Sequence, residues 1–190
     1  IEDGVRKMAQ DGIERAVGIV LAPHYSVMSV GDYIARAQEE ADKHGLSVAF
    51  VRQYHLNPHL LKAWTERVNQ ALDRFAGVPR GDICVLFTAH SLPAKILEMN
   101  DPYPEQLLET SRAVAEQTGV TRWQFAWQSA GKTNVPWLGP DILDVLDSLH
   151  REQVKHVLVC PVGFVSDHLE ILYDIDIECV QKAKELGMRL

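Results

Sequence analysis

Ile83-Cys84-Val85-Leu86-Phe87-Thr88 is an unbroken apolar run, half of it β-branched, that breaks into Ala89-His90-Ser91-Leu92-Pro93. A strand that alternates apolar and polar residues covers one face; a strand apolar throughout is buried on both, as in a parallel sheet flanked by helices. The sequence after it has the period of a helix from Pro104 to Thr118, closed by Gly119 where a left-handed cap is wanted, and then a second short apolar run, Gln124 to Trp127. That is a βα unit, and it repeats. Gly18 to Ala22, Leu46 to Val51 and His156 to Pro161 read as further strands, and helical stretches separate them. Gly31 to His44 ends at Gly45. In Pro58 to Phe75 the residues Leu60, Leu61, Trp64, Val68, Leu72 and Phe75 recur at three- and four-residue intervals, one buried face of a helix. Another helix begins at Pro140, and the last runs from about Asp167 to Glu185. The class is α/β.

The turn-rich stretch Ala76-Gly77-Val78-Pro79-Arg80-Gly81-Asp82 is the linker between residues 1–79, with two strands, and residues 80–190, with three. Two strands are few for an independent sheet. The 190 residues are 46% hydrophobic and 24% charged, an ordinary globular composition that excludes disordered and fibrous classes. A formal charge of −7 opposes binding of nucleic acid and of anionic lipid. The apolar runs fall far short of the ~20 residues of a membrane helix. The N-terminal residues lack a secretory signal pattern, so the expected compartment is the cytoplasm. Cys84, Cys160 and Cys179 form no Cys-x-x-Cys pair, against a disulfide framework, a structural zinc site or an iron–sulfur cluster.

In open α/β sheets ligands bind beyond the carboxyl ends of the strands. His24, His90 and His168 each fall just past a strand. Singly, each reads as a helix-entry residue bonded to backbone; jointly they point to a site. Glu170, Asp174 and Glu178 recur at i, i+4 and i+8, three carboxylates on one helix face, with Asp167 one turn earlier and Asp176 off the line. A solvated acidic face is the ordinary reading of such a ladder. Here Leu169, Ile171, Leu172, Tyr173, Ile175 and Ile177 surround it, so the helix is expected to be buried on most sides, and the ladder to guide a divalent cation. A π-bulge would suit this helix. The loop carrying Trp127, Gln128, Ser129, Trp137 and Leu138 either walls a large planar ligand or lids the core. Ala126 to Thr133 mimics a phosphate loop, but Asn134, Pro136, Gly139 and Pro140 replace the helix that motif requires. No Gly-x-Gly-x-x-Gly for a dinucleotide occurs either.

Taken in order, Leu21-Ala22-Pro23-His24-Tyr25-Ser26, Thr88-Ala89-His90-Ser91-Leu92-Pro93, Asp101-Pro102-Tyr103-Pro104, Trp127-Gln128-Ser129, Pro136-Trp137-Leu138-Gly139-Pro140 and Pro161 through Glu170 with Leu172-Tyr173-Asp174 resemble ferrochelatase, most closely its bacterial coproporphyrin type. The resemblance implies two Rossmann-like domains with parallel sheets flanked by helices, and insertion of Fe²⁺ into coproporphyrin III or protoporphyrin IX in haem biosynthesis. It implies that His90 and Glu170 are the catalytic pair, that His90, Glu170, Asp174 and Glu178 meet the metal, and that His24, Ser129, Trp137, Leu138, Asp167 and His168 line the porphyrin pocket. Fe²⁺ and the porphyrin are then substrates of an expected monomer that needs no obligatory cofactor, with Mg²⁺ or another divalent ion as an alternative occupant of the acidic helix. The family's chain is longer at both ends, so residues 1–79 are expected to be the latter half of an incomplete first domain, 80–190 nearly all of the second, and the piece alone a weak or inactive chelatase. The rival readings are a non-catalytic porphyrin or metal carrier, and a chelatase placing Co²⁺ or Ni²⁺ in an earlier tetrapyrrole.

Overall fold

The computed structural model describes all residues, 1–190, as two parallel sheets with helices packed against them. Helix α1 (Glu2–Gln10), strand β1 (Arg15–Ile19), helix α2 (Val30–Lys43) and strand β2 (Ser47–Val51) form the first unit, with β1 and β2 paired in parallel. Helix α3 (Pro58–Leu72) leads to strand β3 (Ile83–His90), helix α4 (Tyr103–Thr118), strand β4 (Trp123–Gln128), helix α5 (Ile142–Arg151) and strand β5 (His156–Cys160). A last helix, α6, covers residues 169–185: one α turn (Leu169–Ile171), a π segment (Leu172–Cys179) and an α end (Val180–Glu185).

The second sheet has the order β4-β3-β5, all parallel, and seven of the eight β3 residues are buried, as its uninterrupted apolar run requires. Local chemistry sets the helix starts. The Asn57 side chain accepts the backbone N–H of His59 ahead of α3, Asp141 accepts that of Leu143 ahead of α5, and Asp101 accepts that of Tyr103 ahead of α4. Helix α5 therefore begins two residues beyond the proline that marks it in the sequence. Strand β1 begins three residues before, and ends three before, the expected Gly18–Ala22, because its pairing with β2 starts opposite Ser47.

The core is split by the second sheet. On one side Val85, Phe87 and Ala89 pack with Leu107 and Val114 of α4 and with Leu61, Val68 and Leu72 of α3. On the other Cys84 and Leu86 meet α5 and the end of α6. By packing, then, α3 sits with the second unit, although the turn-rich stretch follows it. The first unit leaves Val17, Ile19 and Leu21 exposed, beside an apolar hollow of about 420 Å³ between β1, β2 and α2. No helix is long and apolar enough to cross a membrane.

Candidate functional site

The chain leaves β3 to build β4 on one side and later β5 on the other, so connections diverge at the carboxyl end of β3 and open a crevice there. His90 is the last residue of β3, and Glu170 lies in the first turn of α6, after the loop from β5. His90 Nε2 stands 3.5 Å from Glu170 Oε2, both side chains reaching solvent. The other ring nitrogen, Nδ1, is bonded to the Ser91 carbonyl. A carbonyl only accepts, so Nδ1 carries the hydrogen and Nε2 presents its lone pair toward Glu170. Ser91 is fully buried and pinned twice: its N–H donates to the Gln128 carbonyl at 2.8 Å and its hydroxyl to the Leu138 carbonyl at 2.8 Å. Tyr103 adds a third restraint, its hydroxyl donating to the His90 carbonyl at 3.0 Å.

The pair opens into a cleft of about 450 Å³ whose walls include Leu21, Ala22, His24, Tyr103, Phe164 and His168. Half of its lining is apolar, and the imidazole–carboxylate pair lies among the polar half, a lining suited to a flat apolar ligand with a polar centre. The Trp137 ring lies 6.5 Å from that of His90, its Nε1 donating to Thr133 Oγ1 at 2.8 Å.

Not every expected site residue reaches this cleft. Leu138 is buried in the core beside β3, and Trp127 packs edge-on against Phe125, so of the two readings of that loop the core lid holds for both. Asp167 faces a neighbouring hollow with Trp64 and Arg67, behind the loop that ends at His168. Ser129 has a left-handed backbone, φ 58°, that aims its hydroxyl away from the pair and onto the Asp174 carboxylate. Gln128 Nε2 also donates to Asp174, at 3.4 Å, while its Oε1 accepts from Thr88 Oγ1 at 2.8 Å, both residues fully buried.

Of the three carboxylates in the ladder, Glu170 lines the cleft. No three imidazole, thiolate or carboxylate side chains converge: Asp174 is tied back to the end of β4, and Glu178 projects outward. The π segment has i to i+5 hydrogen bonds and a wider turn than an α-helix, so residues four apart still share roughly one face of it. The helix is also not buried on most sides. Only Ile171, Cys179 and Ala183 are buried, whereas Leu169 is 80% exposed and Leu172, Tyr173 and Ile177 are exposed too.

His24 is 2% exposed, with Nε2 2.9 Å from Thr110 Oγ1, and burial, followed by the neighbouring His55, holds its imidazole down at about 3. Tyr103, Phe164, Ser91 and His55 were not singled out in the sequence for a role. A tyrosine at a helix start or a phenylalanine in a loop gives no signal of its own, and Ser91 acts on His90 through its backbone carbonyl.

The family model described as Ferrochelatase matches residues 1–190. The coproporphyrin III ferrochelatase of Geobacillus thermodenitrificans is 47% identical over 191 residues, covering 100% of this chain and 60% of that protein. That of Staphylococcus epidermidis is 43% identical over 99% of this chain and 62% of its own, and the ferrochelatase of Herpetosiphon aurantiacus is 44% identical over 100% and 63%. The chain thus spans about three-fifths of the length of these curated relatives. Among solved structures, SirB from Bacillus subtilis with Fe³⁺ matches 97% of this chain and 66% of its own at a TM-score of 0.71 and 15% identity, a likeness of fold.

Proposed function

The chain belongs to the ferrochelatase family, and from that premise we propose that it carries the metal-accepting wall of a cleft in which Fe²⁺ is inserted into a porphyrin. The observation that carries this reading is the His90 Nε2 to Glu170 Oε2 pair, 3.5 Å apart at the carboxyl end of the central strand, opening into the cleft. Coproporphyrin III is the porphyrin of choice, since relatives in Geobacillus and Staphylococcus carry that name.

Metallation breaks two pyrrole N–H bonds and makes metal–nitrogen bonds in their place. A base must take each proton, and a ligand must hold the cation until the ring does. His90, locked with its hydrogen on Nδ1, offers Nε2 for either task. Glu170 places a carboxylate oxygen beside the Nε2 lone pair, a second ligand for a cation held between the two. Restraint of the His90 backbone by Tyr103 and of Ser91 by Gln128 and Leu138 keeps that lone pair aimed, so little order has to be imposed when substrate arrives. Trp137 and Phe164 give the macrocycle flat apolar contact. Fe²⁺ and porphyrin are substrates here, and both members of the pair come from a single chain.

Anaerobic mixing with Fe²⁺ and either coproporphyrin III or protoporphyrin IX, following the change from the free-base to the metallated spectrum, tests the proposal. Multiple turnovers support it and choose the porphyrin. Porphyrin binding without metallation by the full-length protein refutes it in favour of a carrier.

A further inference from the structure

Behind the cleft wall two imidazoles lie side by side with no part in the chemistry above. His24, in the loop after β1, and His55, between β2 and α3, are 2% and 5% exposed, their ring centroids 5.6 Å apart and their planes at 36°. Their protons can be placed. Thr110 Oγ1 lies 3.1 Å from the Gln106 carbonyl and 3.4 Å from that of His55, groups that only accept, so its one hydrogen goes there and its lone pair receives His24 Nε2–H. His55 Nε2 is 2.8 Å from Glu109 Oε2 and donates to that carboxylate. In each ring, then, Nδ1 is left as a bare lone pair, and both Nδ1 atoms are buried without a partner. Buried acceptors are rarely left unpaired, so two in adjacent rings call for a shared donor, a bridging water or a proton in transit. Exposure rises along the series: His24 faces the cleft, His55 lies behind it, and the Glu109 side chain is 39% exposed at the surface of α4.

We propose that His24, His55 and Glu109 form a proton exit path from the cleft to solvent. The proposal rests on the metallation reading, in which each porphyrin discharges two protons while its nitrogens keep the electron pairs that bind the metal. A proton leaving the cleft bonds to His24 Nδ1 and passes to His55 Nδ1 through one bridging water. His55 then releases its Nε2 hydrogen to the Glu109 carboxylate, which gives it to bulk water, and tautomerisation of His55 resets the chain. Burial and the neighbouring ring keep the proton affinity of His24 low, so it hands a proton on and does not store it. Tyr103, the other ring against His24, is outside the path, because its hydroxyl is spent on the His90 carbonyl.

The test uses the full-length protein with His55→Gln and Glu109→Gln, measuring Fe²⁺ insertion and, with a pH indicator in weak buffer, proton release. Both variants are expected to lose about tenfold or more in kcat with porphyrin KM unchanged, the scale of a positioned proton acceptor. Added imidazole or Glu109→Asp should restore the rate, which a merely structural role would not allow. Wild-type rates in both variants, or a loss that neither imidazole nor Glu109→Asp restores, overturn the path. Glu109, at the exposed end, carries the test where His55→Gln does not fold. A wild-type protein that fails to metallate porphyrin at all sinks the functional reading and not this one specifically.

Discussion

His90 Nδ1 is bonded to the carbonyl of the very next residue, Ser91, and this one contact decides which nitrogen of the ring faces Glu170. The tautomer of this imidazole is thereby written into the backbone at the end of β3 and not into a neighbouring side chain.

The pair should be separable from the fold. His90→Ala and Glu170→Gln are each expected to lower metallation by about 100-fold or more, while thermal stability stays within about 0.5 kcal/mol of wild type, because both side chains reach solvent. Loss of circular dichroism in either variant would contradict the placement.

Acid should unfold the protein partly through His24. Its folded value of about 3 lies below the ordinary 6.5, with burial the first cause and His55 the second. The unfolded chain therefore binds the proton first. Stability from this group is complete above about pH 6.5 and falls toward pH 3 by about 1.4 kcal/mol per pH unit. His24→Gln should flatten the pH dependence of the urea midpoint in that window; equal slopes in the two proteins would refute the assignment.

Thr88→Val should cost about 1–3 kcal/mol, because it strips the donor from the fully buried Gln128 Oε1 and loosens the amide that reaches Asp174. The urea midpoint reads this directly, and an unchanged midpoint would mean that Gln128 finds another donor.

Gly163→Ala tests how tightly the cleft loop is seated. A Cβ there would collide with the Ala89 side chain and stand 2.9 Å from Ala89 Cα on the central strand. Displacing the loop is expected to cost about 1–3 kcal/mol, and to slow metallation, since the same loop carries Phe164 and His168 into the cleft. Full activity with full stability would show that the loop has slack.

The three thiols should be silent to a thiol reagent until the protein unfolds. Burial pushes Cys84 up to about 11 and Cys160 and Cys179 to about 12, leaving almost no thiolate at neutral pH.

Much of this was legible from the residues. Apolar runs such as Ile83 to Thr88 announce buried parallel strands, and a histidine just past such a run lands at the crevice by the geometry of the sheet. What periodicity could not give was the surroundings of α6. Its apolar residues predict burial only if something covers them, and here Leu169, Leu172, Tyr173 and Ile177 project outward. Side chains two residues apart across the end of a strand, such as Ser129 relative to Trp127, also diverge with backbone φ, which composition does not encode. The His55–Glu109 contact joins residues 54 positions apart, and only packing of α3 on α4 brings them together.

The π segment of α6 has a genetic corollary. An α-helix advances about 100° per residue, and a π turn is one residue richer than the α turn it replaces. Deleting a single codon within Leu172–Cys179 would therefore not merely shorten the helix. It would let an α turn span the same arc, leaving Glu170 close to its present phase relative to Cys179, whose side chain is anchored in the core. One missing base triplet would thus keep the carboxylate turned toward His90 and remove only the local widening of the helix around Asp174.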